Sequence, residues 1–579
     1  MNTIRYKQPV IKIFFILLLL SITTSGLAVI TVGSTNDCDY DNLLDAYNDP
    51  DAFVRVTTQL VHSDSFTIAK AKWFTGGYDT CADAESGTLG LFKTKWRRFD
   101  DGTVVRINTN NTSFIVIDGF EIFGGRSLDF GAAGGIVVLG NARLLLINSE
   151  VYDNEGNEGG GIRARGENVR VTISNSIIRN NTATSFGGGV YCENGATFTM
   201  LGESAIKLNT TPGNGGGIFA NLNCQIMVQS GDTNALLSND FGILSNTGSR
   251  GGGVYLQGGA DMELLGNDTH PASIIGNVST IDTNNVIIGG GGVYLTGDGT
   301  TFTGKNARID LNIAQNVGAG FGVTTSARFT MERLDAPCWD NDKCSSLANN
   351  IVIKPTGDSA AGFIYDQAYA GISQTYIANN QAENTSIMTV SDVGYLRMEG
   401  NLIVANGPFN QNFSLRLFRV AGNNGFAGNM DFFYNTLVAN NSLVSFYLDG
   451  NSSQQHLNIY NSIIQGQGDI ISTVGGIDPF LNINCNYVHE TASLSVATTL
   501  VDTYNLNPEF ADSANGDYHL SSDSLAKDLC EEQVFIGIFK DLNGLNRGYD
   551  DPNIINLRGP YDAGAYEFNN DLIFSTGFE

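Results

Sequence analysis

A Gly-Gly-aliphatic motif recurs over more than two hundred residues of this chain, and no other feature restricts the fold as strongly. Its aliphatic residue falls at Ile136, Ile162, Val190, Ile218, Val254, Val293, Val323 and Ile364, at intervals of 26, 28, 28, 36, 39, 30 and 41 residues. A unit of that length cannot bury an apolar face alone, so each repeat needs a neighbour on both sides. Unequal gaps around a constant motif imply a fixed core with surface loops of variable length. Most copies follow a short β-branched run bounded by Asn. These runs are Asn148 to Asn154, Asn175 to Asn180, Asn401 to Asn406 and Asn435 to Asn440, with a last echo from Asn458 to Ile464. They are too short for helices and suit strands that end in turns. Asn tolerates the left-handed conformation, and its amides in successive coils are placed to stack as a hydrogen-bonded ladder.

These two features resemble right-handed parallel β-helix repeat proteins, including the glycine-and-asparagine repeats of polymorphic outer-membrane proteins. Over roughly residues 101–480 the resemblance implies an all-β, pectin-lyase-like solenoid. It speaks to architecture more than to activity. Residues 29–100 lack the repeat. There Asp41 to Asn48 reads as a short helix, and Phe53 to Thr57 and Phe66 to Ala71 as strands. A stack of coils leaves an unpaired edge at each end that must be covered, so capping is the expected role of this segment. Its Trp73 to Tyr78 and Trp96 to Phe99 clusters are an alternative binding patch.

The first residues combine Arg5, Lys7 and Lys12, the apolar run Ile13 to Leu20, and Ser25-Gly26-Leu27-Ala28. That order reads as a secretory signal over residues 1–28, too short in its apolar part for a membrane span. The chain is therefore expected to be exported, to the extracellular space or the outer cell surface, and to be monomeric. Removal of those three residues leaves 29 of 32 Lys and Arg against 59 Asp and Glu. A charge near −30 repels nucleic acid and anionic lipid alike. Eight cysteines fit an oxidising compartment. Cys338 and Cys344 are placed to staple one loop, Cys38 and Cys81 the amino-terminal cap, and Cys485 and Cys530 the carboxyl-terminal region. Cys192 alternates inward, but Cys224 lies six residues past Ile218 and leaves that pair unexplained.

Alternation within each strand turns Val190, Cys192, Val254 and Leu256 inward. It turns Val137, Arg163, Tyr191, Phe219, Tyr255, Tyr294, Thr324 and Tyr365 outward. Coils about 4.8 Å apart would set Tyr191, Phe219, Tyr255 and Tyr294 in one exposed file. That file is either a strip for sugar faces or a partner protein, or a cross-strand stack roofed by loops. The long insertions after Ile218 and Val254 favour the roof. The best candidate cluster for catalysis is Asp153, Glu155 and Glu158 with Arg163 and Arg165. Glu193 falls opposite Arg165, so a cross-coil ion pair accounts for the group without catalysis. The histidines, at positions 62, 270, 456, 489 and 519, are scattered.

Near the end, Asp541 to Arg547 and Asp562 to Glu567 match the D-x-x-G-x-x-R and D-x-G-A-x-E segments that close secreted β-helix proteins of the choice-of-anchor Q type. The resemblance covers about the last 50 residues of the folded domain, within a region of carboxyl-terminal coils and closing segment over 481–568, and implies a bacterial cell-envelope or exported protein, without a catalytic assignment. Residues 569–579 are similar to a short sorting tail. Asp340, Asn341 and Asp342, and separately Asp541, Asn543 and Asp550, offer hard oxygen ligands for a structural calcium; no other cofactor is expected. Together these readings favour an exported or surface-displayed binding or adhesion scaffold, whose partner is a glycan or another surface protein. The alternative is a polysaccharide lyase or glycoside hydrolase.

Overall fold

The computed structural model describes residues 29–568 apart from 35–36, 60, 64, 232–240, 268–269, 281–288, 335–344, 355–356, 409–415, 424–425, 451–453, 467, 475–478, 490–499, 531–539 and 549–557. The segments expected to be a secretory signal and a sorting tail, and Cys338 and Cys344, lie outside the described residues. Within them the chain winds into coils whose strands pair almost entirely in parallel, each with its counterpart one coil further on. The sheet stays open and does not close into a barrel, so the fold is a β-solenoid. One coil illustrates the rest. Val190–Glu193 lies on a first face, Thr197–Leu201 on a second and Ala205–Lys207 on a third. They pair in register with Ile218–Ala220, Gln225–Gln229 and Gly242–Leu244 of the next coil.

Alternation on the three faces fills the lumen. Val190, Phe198 and Ile206 point inward and are inaccessible to solvent, as are Ile218 and Ile243 one coil on. β-Branched side chains pack well on such surfaces, and each buried Val or Ile contributes roughly 1.5–3 kcal/mol. The glycines explain the motif. Gly187 turns with φ 66°. A Cβ on Gly188 or Gly189 would strike the Gly216 or Gly217 carbonyl of the next coil at 2.5 and 2.7 Å. Only glycine fits so close to a neighbouring backbone.

The ladder runs beside this turn. Asn154, Asn181, Asn209, Asn246, Asn277, Asn312, Asn350, Asn380, Asn406 and Asn440 are buried, and each amide donates to the next amide oxygen at 2.9–3.1 Å. A second short ladder joins Asn401 to Asn435 at 2.9 Å. The rung in the second repeat is Asn181. Asn180, at the end of the apolar run, is the left-handed residue that makes the bend, with φ 53°.

Two sequence expectations change in register. Val293 pairs with Phe321, and Val323 with Leu295 one step later. Ile364 pairs with Val323. The degraded motif Gly318-Ala319-Gly320 occupies the glycine turn, so the first inward residue after it is Phe321. Outward from Tyr294 the file passes to Gly322 and Phe363 instead of Thr324 and Tyr365. The sheet also crosses position 100 without a seam. Val29–Val32 pairs with Phe53–Thr57, that strand with Lys72–Tyr78, and that with Val105–Asp118. The helix Leu43–Asn48, capped by the Asn42 side chain, packs Leu43, Ala46 and Tyr47 onto the same apolar core.

Cys38–Cys81 and Cys485–Cys530 are bonded, as their positions suggest, and Cys192–Cys224 joins them. Leu222 and Asn223, both left-handed, swing the chain around the corner. Cys224 therefore enters the second face pointing into the lumen, fully buried beside Cys192.

After Leu500–Asn505 the chain does not simply end the stack. It returns along the third face, where Leu542, Ala565 and Tyr566 cover Ala348, Ala378, Leu402, Val404 and Val438. In one outward file of this face Tyr152, Arg179 and Lys207 stand in the earlier coils, and Ala348, Ala378, Val404 and Val438 where the returning segment lies. Ala565 N–H donates to Thr436 Oγ1 at 2.9 Å, Gly564 N–H to the Asn461 carbonyl at 2.8 Å, and Gln374 Nε2 to the Asp541 carbonyl at 2.6 Å.

Candidate functional site

The aromatic file exists, but it is not exposed. Tyr191, Phe219, Tyr255 and Tyr294 retain only 2–7 % of their accessible surface. Neighbouring rings stack with centroids 5.1–5.2 Å apart and planes within 17°. Phe186 stacks on Phe219 at 4.8 Å, Arg163 lies over Tyr191 and Arg250 over Tyr294. Burial pushes the Tyr191 and Tyr255 phenols up, Tyr255 to about 12. Rings in this state hold coils together and are closed to a ligand. Central parts of the long insertions, residues 232–240 and 281–288, lie outside the described residues.

The proposed catalytic cluster divides. Glu158, Arg163 and Glu193 converge as buried groups. One Arg163 nitrogen, Nη2, stands 3.0 Å from Glu158 Oε2 and 2.5 Å from Glu193 Oε1, while Arg163 Nη1 donates to the Gly131 carbonyl. Arg165, half-exposed, reaches Glu193 at 3.5 Å, the cross-coil pair expected from the register. Burial raises the Glu158 pKa, and Glu193 raises it further; Arg163 opposes both. Asp153 is elsewhere, exposed in a left-handed turn with φ 52°, and Glu155 pairs with Arg126 at 2.9 Å. The converging group is an internal ion cluster capping the aromatic stack. Glu193→Gln should cost only about 1–2 kcal/mol, because Glu158 remains as counter-ion; a urea melt reads this directly.

Of the calcium candidates, Asp541 and Asn543 lie among the described residues. Asp340, Asn341, Asp342 and Asp550 lie outside the described residues. The Asp541 oxygens accept the Leu545 and Glu567 N–H groups at 2.7 and 2.9 Å, and Asn543 Nδ2 lies 2.6 Å from His519 Nε2. Among the described residues no group of three His, Cys, Asp or Glu is arranged to hold a metal ion.

A second surface is not anticipated by the motif. On the second face, Tyr369, Tyr395, Asn429, His456 and Phe480 follow one another in register through successive coils, all pointing outward. Tyr369 and Tyr395 have centroids 5.6 Å apart, and His456 stacks on Phe480 at 4.7 Å. Phe480 is 56 % exposed, and the other four are partly exposed. The adjoining outward file is Arg397, Asp431, Asn458 and Asn482. Tyr395 donates to Asp431, Asn458 Nδ2 donates to Asp431 at 2.7 Å, and Asn482 Nδ2 to Asn458 at 2.8 Å. Burial, then the Asp431 hydrogen bond, raises the Tyr395 pKa. The signal lies in the alternation of Tyr395-Leu-Arg-Met-Glu, Asn429-Met-Asp-Phe-Phe and His456-Leu-Asn-Ile-Tyr. It becomes readable when the register is carried beyond Ile364.

No helix among the described residues is long and apolar enough to cross a membrane. No protein-family model matches this chain, and a search of curated proteins finds none that matches it.

Proposed function

We propose that this is an exported or surface-displayed binding scaffold. In this reading its solenoid is a right-handed, pectin-lyase-like parallel β-helix with a closing segment of the choice-of-anchor Q kind. The supporting observation is the partly exposed second-face surface from Tyr369 to Asn482. It sets rings in a file along the coil axis with amide and carboxylate hydrogen-bonding groups at their side. Partly exposed rings offer apolar area to a sugar, and Asn458, Asn482 and Asp431 suit its hydroxyls. Asp431 at the centre and the acidic chain as a whole disfavour a uronate, so the ligand class is a neutral glycan. The coil spacing of about 4.8 Å is comparable with one residue of an extended sugar chain, which favours a polysaccharide over a short oligosaccharide.

The test is equilibrium binding to neutral and uronate polysaccharides, with reducing-end and unsaturated-product assays run on the same samples. Phe480→Ala with Tyr369→Ala should weaken binding of a neutral chain at least tenfold, while the melting curve moves little. Undiminished binding would remove the second face as the site. Turnover lost on Tyr395→Phe or Asp431→Asn would turn the reading to a lyase or hydrolase.

A further inference from the structure

We infer that the amino-terminal end of the solenoid docks on an anionic phospholipid surface through residues 89–99. This goes beyond the glycan reading and uses a different face. Leu89, Leu91 and Phe92 form the loop before the strand Thr94–Arg97, and they are 65, 93 and 73 % exposed; Phe99, just after the strand, is 66 % exposed. Large apolar side chains grouped at such exposure mark a contact surface. The strand between them alternates, burying Thr94 and Trp96 and sending Lys95 and Arg97 outward. Its neighbour on one side is only the short strand Val61–His62, with Val61 45 % exposed, so the group lies at the edge of the stack.

Charge selects the partner. Residues 93–98 hold Lys93, Lys95, Arg97 and Arg98 in a chain of formal net charge −27. Four of the nearby acids already have partners; a fifth, the exposed Asp79 beside Gly90, accepts the Thr58 hydroxyl at 3.5 Å and forms no ion pair among the described residues. Asp100 pairs with Arg98 at 3.0 Å, Asp101 with Arg126 at 3.4 Å, and Glu150 with both Lys93 at 2.7 Å and Arg179 at 3.0 Å. Glu121, opposite Lys95 in register, accepts the Tyr152 hydroxyl at 3.1 Å. Among the described residues Lys95 and Arg97 form no ion pair; Arg97 rests on the Phe99 and Phe123 rings. Acids further away are screened over about 8–10 Å in physiological salt. The repulsion suggested by the whole-chain charge therefore does not govern this edge. Apolar tips flanked by cations are what an interfacial membrane contact requires: the rings and Leu enter the acyl boundary, and each cation is drawn to the anionic headgroups.

Co-sedimentation of the full chain with phosphatidylcholine vesicles, with and without phosphatidylglycerol at about a third of the lipid, tests this. A Phe92→Trp variant read against bromine-labelled lipid reports insertion of the loop. Binding should require the anionic lipid and fall with salt. It should drop at least tenfold in Leu91→Ser with Phe92→Ser and in Lys95→Glu with Arg97→Glu, both of which alter exposed side chains and should keep the wild-type melt. The indole fluorescence gained in Phe92→Trp should be quenched by the brominated lipid. Equal binding by the serine and glutamate variants, or an unquenched indole in Phe92→Trp, overturns the inference. A concentration-dependent dimer abolished by the serine variant also overturns it, assigning the patch to a second copy of the chain.

Discussion

Asn181→Leu should destabilise the solenoid by on the order of 5 kcal/mol, while Asn180→Gly, one residue away, should change stability by no more than about 1 kcal/mol. The Asn181 amide oxygen accepts both the Asn154 backbone N–H at 3.1 Å and the Asn154 amide at 3.0 Å, and its nitrogen donates to the Val151 carbonyl at 2.9 Å and to Asn209 at 3.0 Å. Leucine strands several of these groups in a dry interior, each at roughly 1–3 kcal/mol. Asn180 is exposed and left-handed, a state glycine adopts freely. Urea unfolding of the two variants gives the comparison. Similar midpoints would show that the ladder carries little of the stability.

Arg547→Ala should free the carboxyl-terminal segment from the third face, at a cost of about 3–5 kcal/mol. Arg547 donates to the Gly564 and Ala565 carbonyls at 3.1 and 3.2 Å, lies 3.7 Å from Glu567, and stacks over the Tyr434 ring at 4.3 Å. Buried with it are Asp528, Asp541, Asp562 and Glu567. Burial raises Asp562 to about 7 and raises Glu567 as well, although N–H groups of Asp528 and Phe568 donate to the Asp562 oxygens at 2.7 and 2.5 Å. The sign follows from the proton count. An Asp that titrates near about 3.9 when unfolded and at about 7 when folded holds more protons in the folded state between those values. Its contribution to stability is greatest below about pH 4, falls as pH rises to about 7, and is level above. Hydrogen exchange of residues 541–548 and 561–568, taken relative to the intrinsic amide rate at each pH, should thus be slower at about pH 5 than at about pH 8. In Arg547→Ala it should be fast at both, with Ala378 and Val404 losing protection too. An unchanged exchange pattern would show that the segment is held by its apolar contacts alone.

Most of the scaffold is legible in the chain itself. The period of the Gly motif sets the coils, alternation makes Val190, Cys192, Val254 and Leu256 lumen residues, and the Arg165–Glu193 register follows from those two facts. The failures have local causes. Gly318-Ala319-Gly320 reads as a weaker motif two residues late, because alanine is tolerated at the turn where the motif otherwise carries glycine. Cys224 escapes placement because two left-handed residues, Leu222 and Asn223, break the alternation that places Cys192. The second-face file goes unread because the glycine marker fades beyond Ile364, and with it the register.

Everything that repeats locally belongs to the sequence: strands, turns, the lumen set and the asparagine rungs. Period-2 alternation and left-handed turns are properties of a few consecutive residues, so they are written in those residues. Which outward side chains meet water is instead a matter of packing at long range. Tyr191 and Tyr395 both point away from the lumen. The first is closed under Arg163 and the stacked Phe219 ring, while the second remains partly exposed. The return of Leu542, Ala565 and Tyr566 over Ala348, Ala378 and Val404 is decided in the same way, by contacts between segments far apart in the chain. Alternation says that a residue leaves the lumen; only the packing of distant chain against that face says whether it ends in solvent or in a second core.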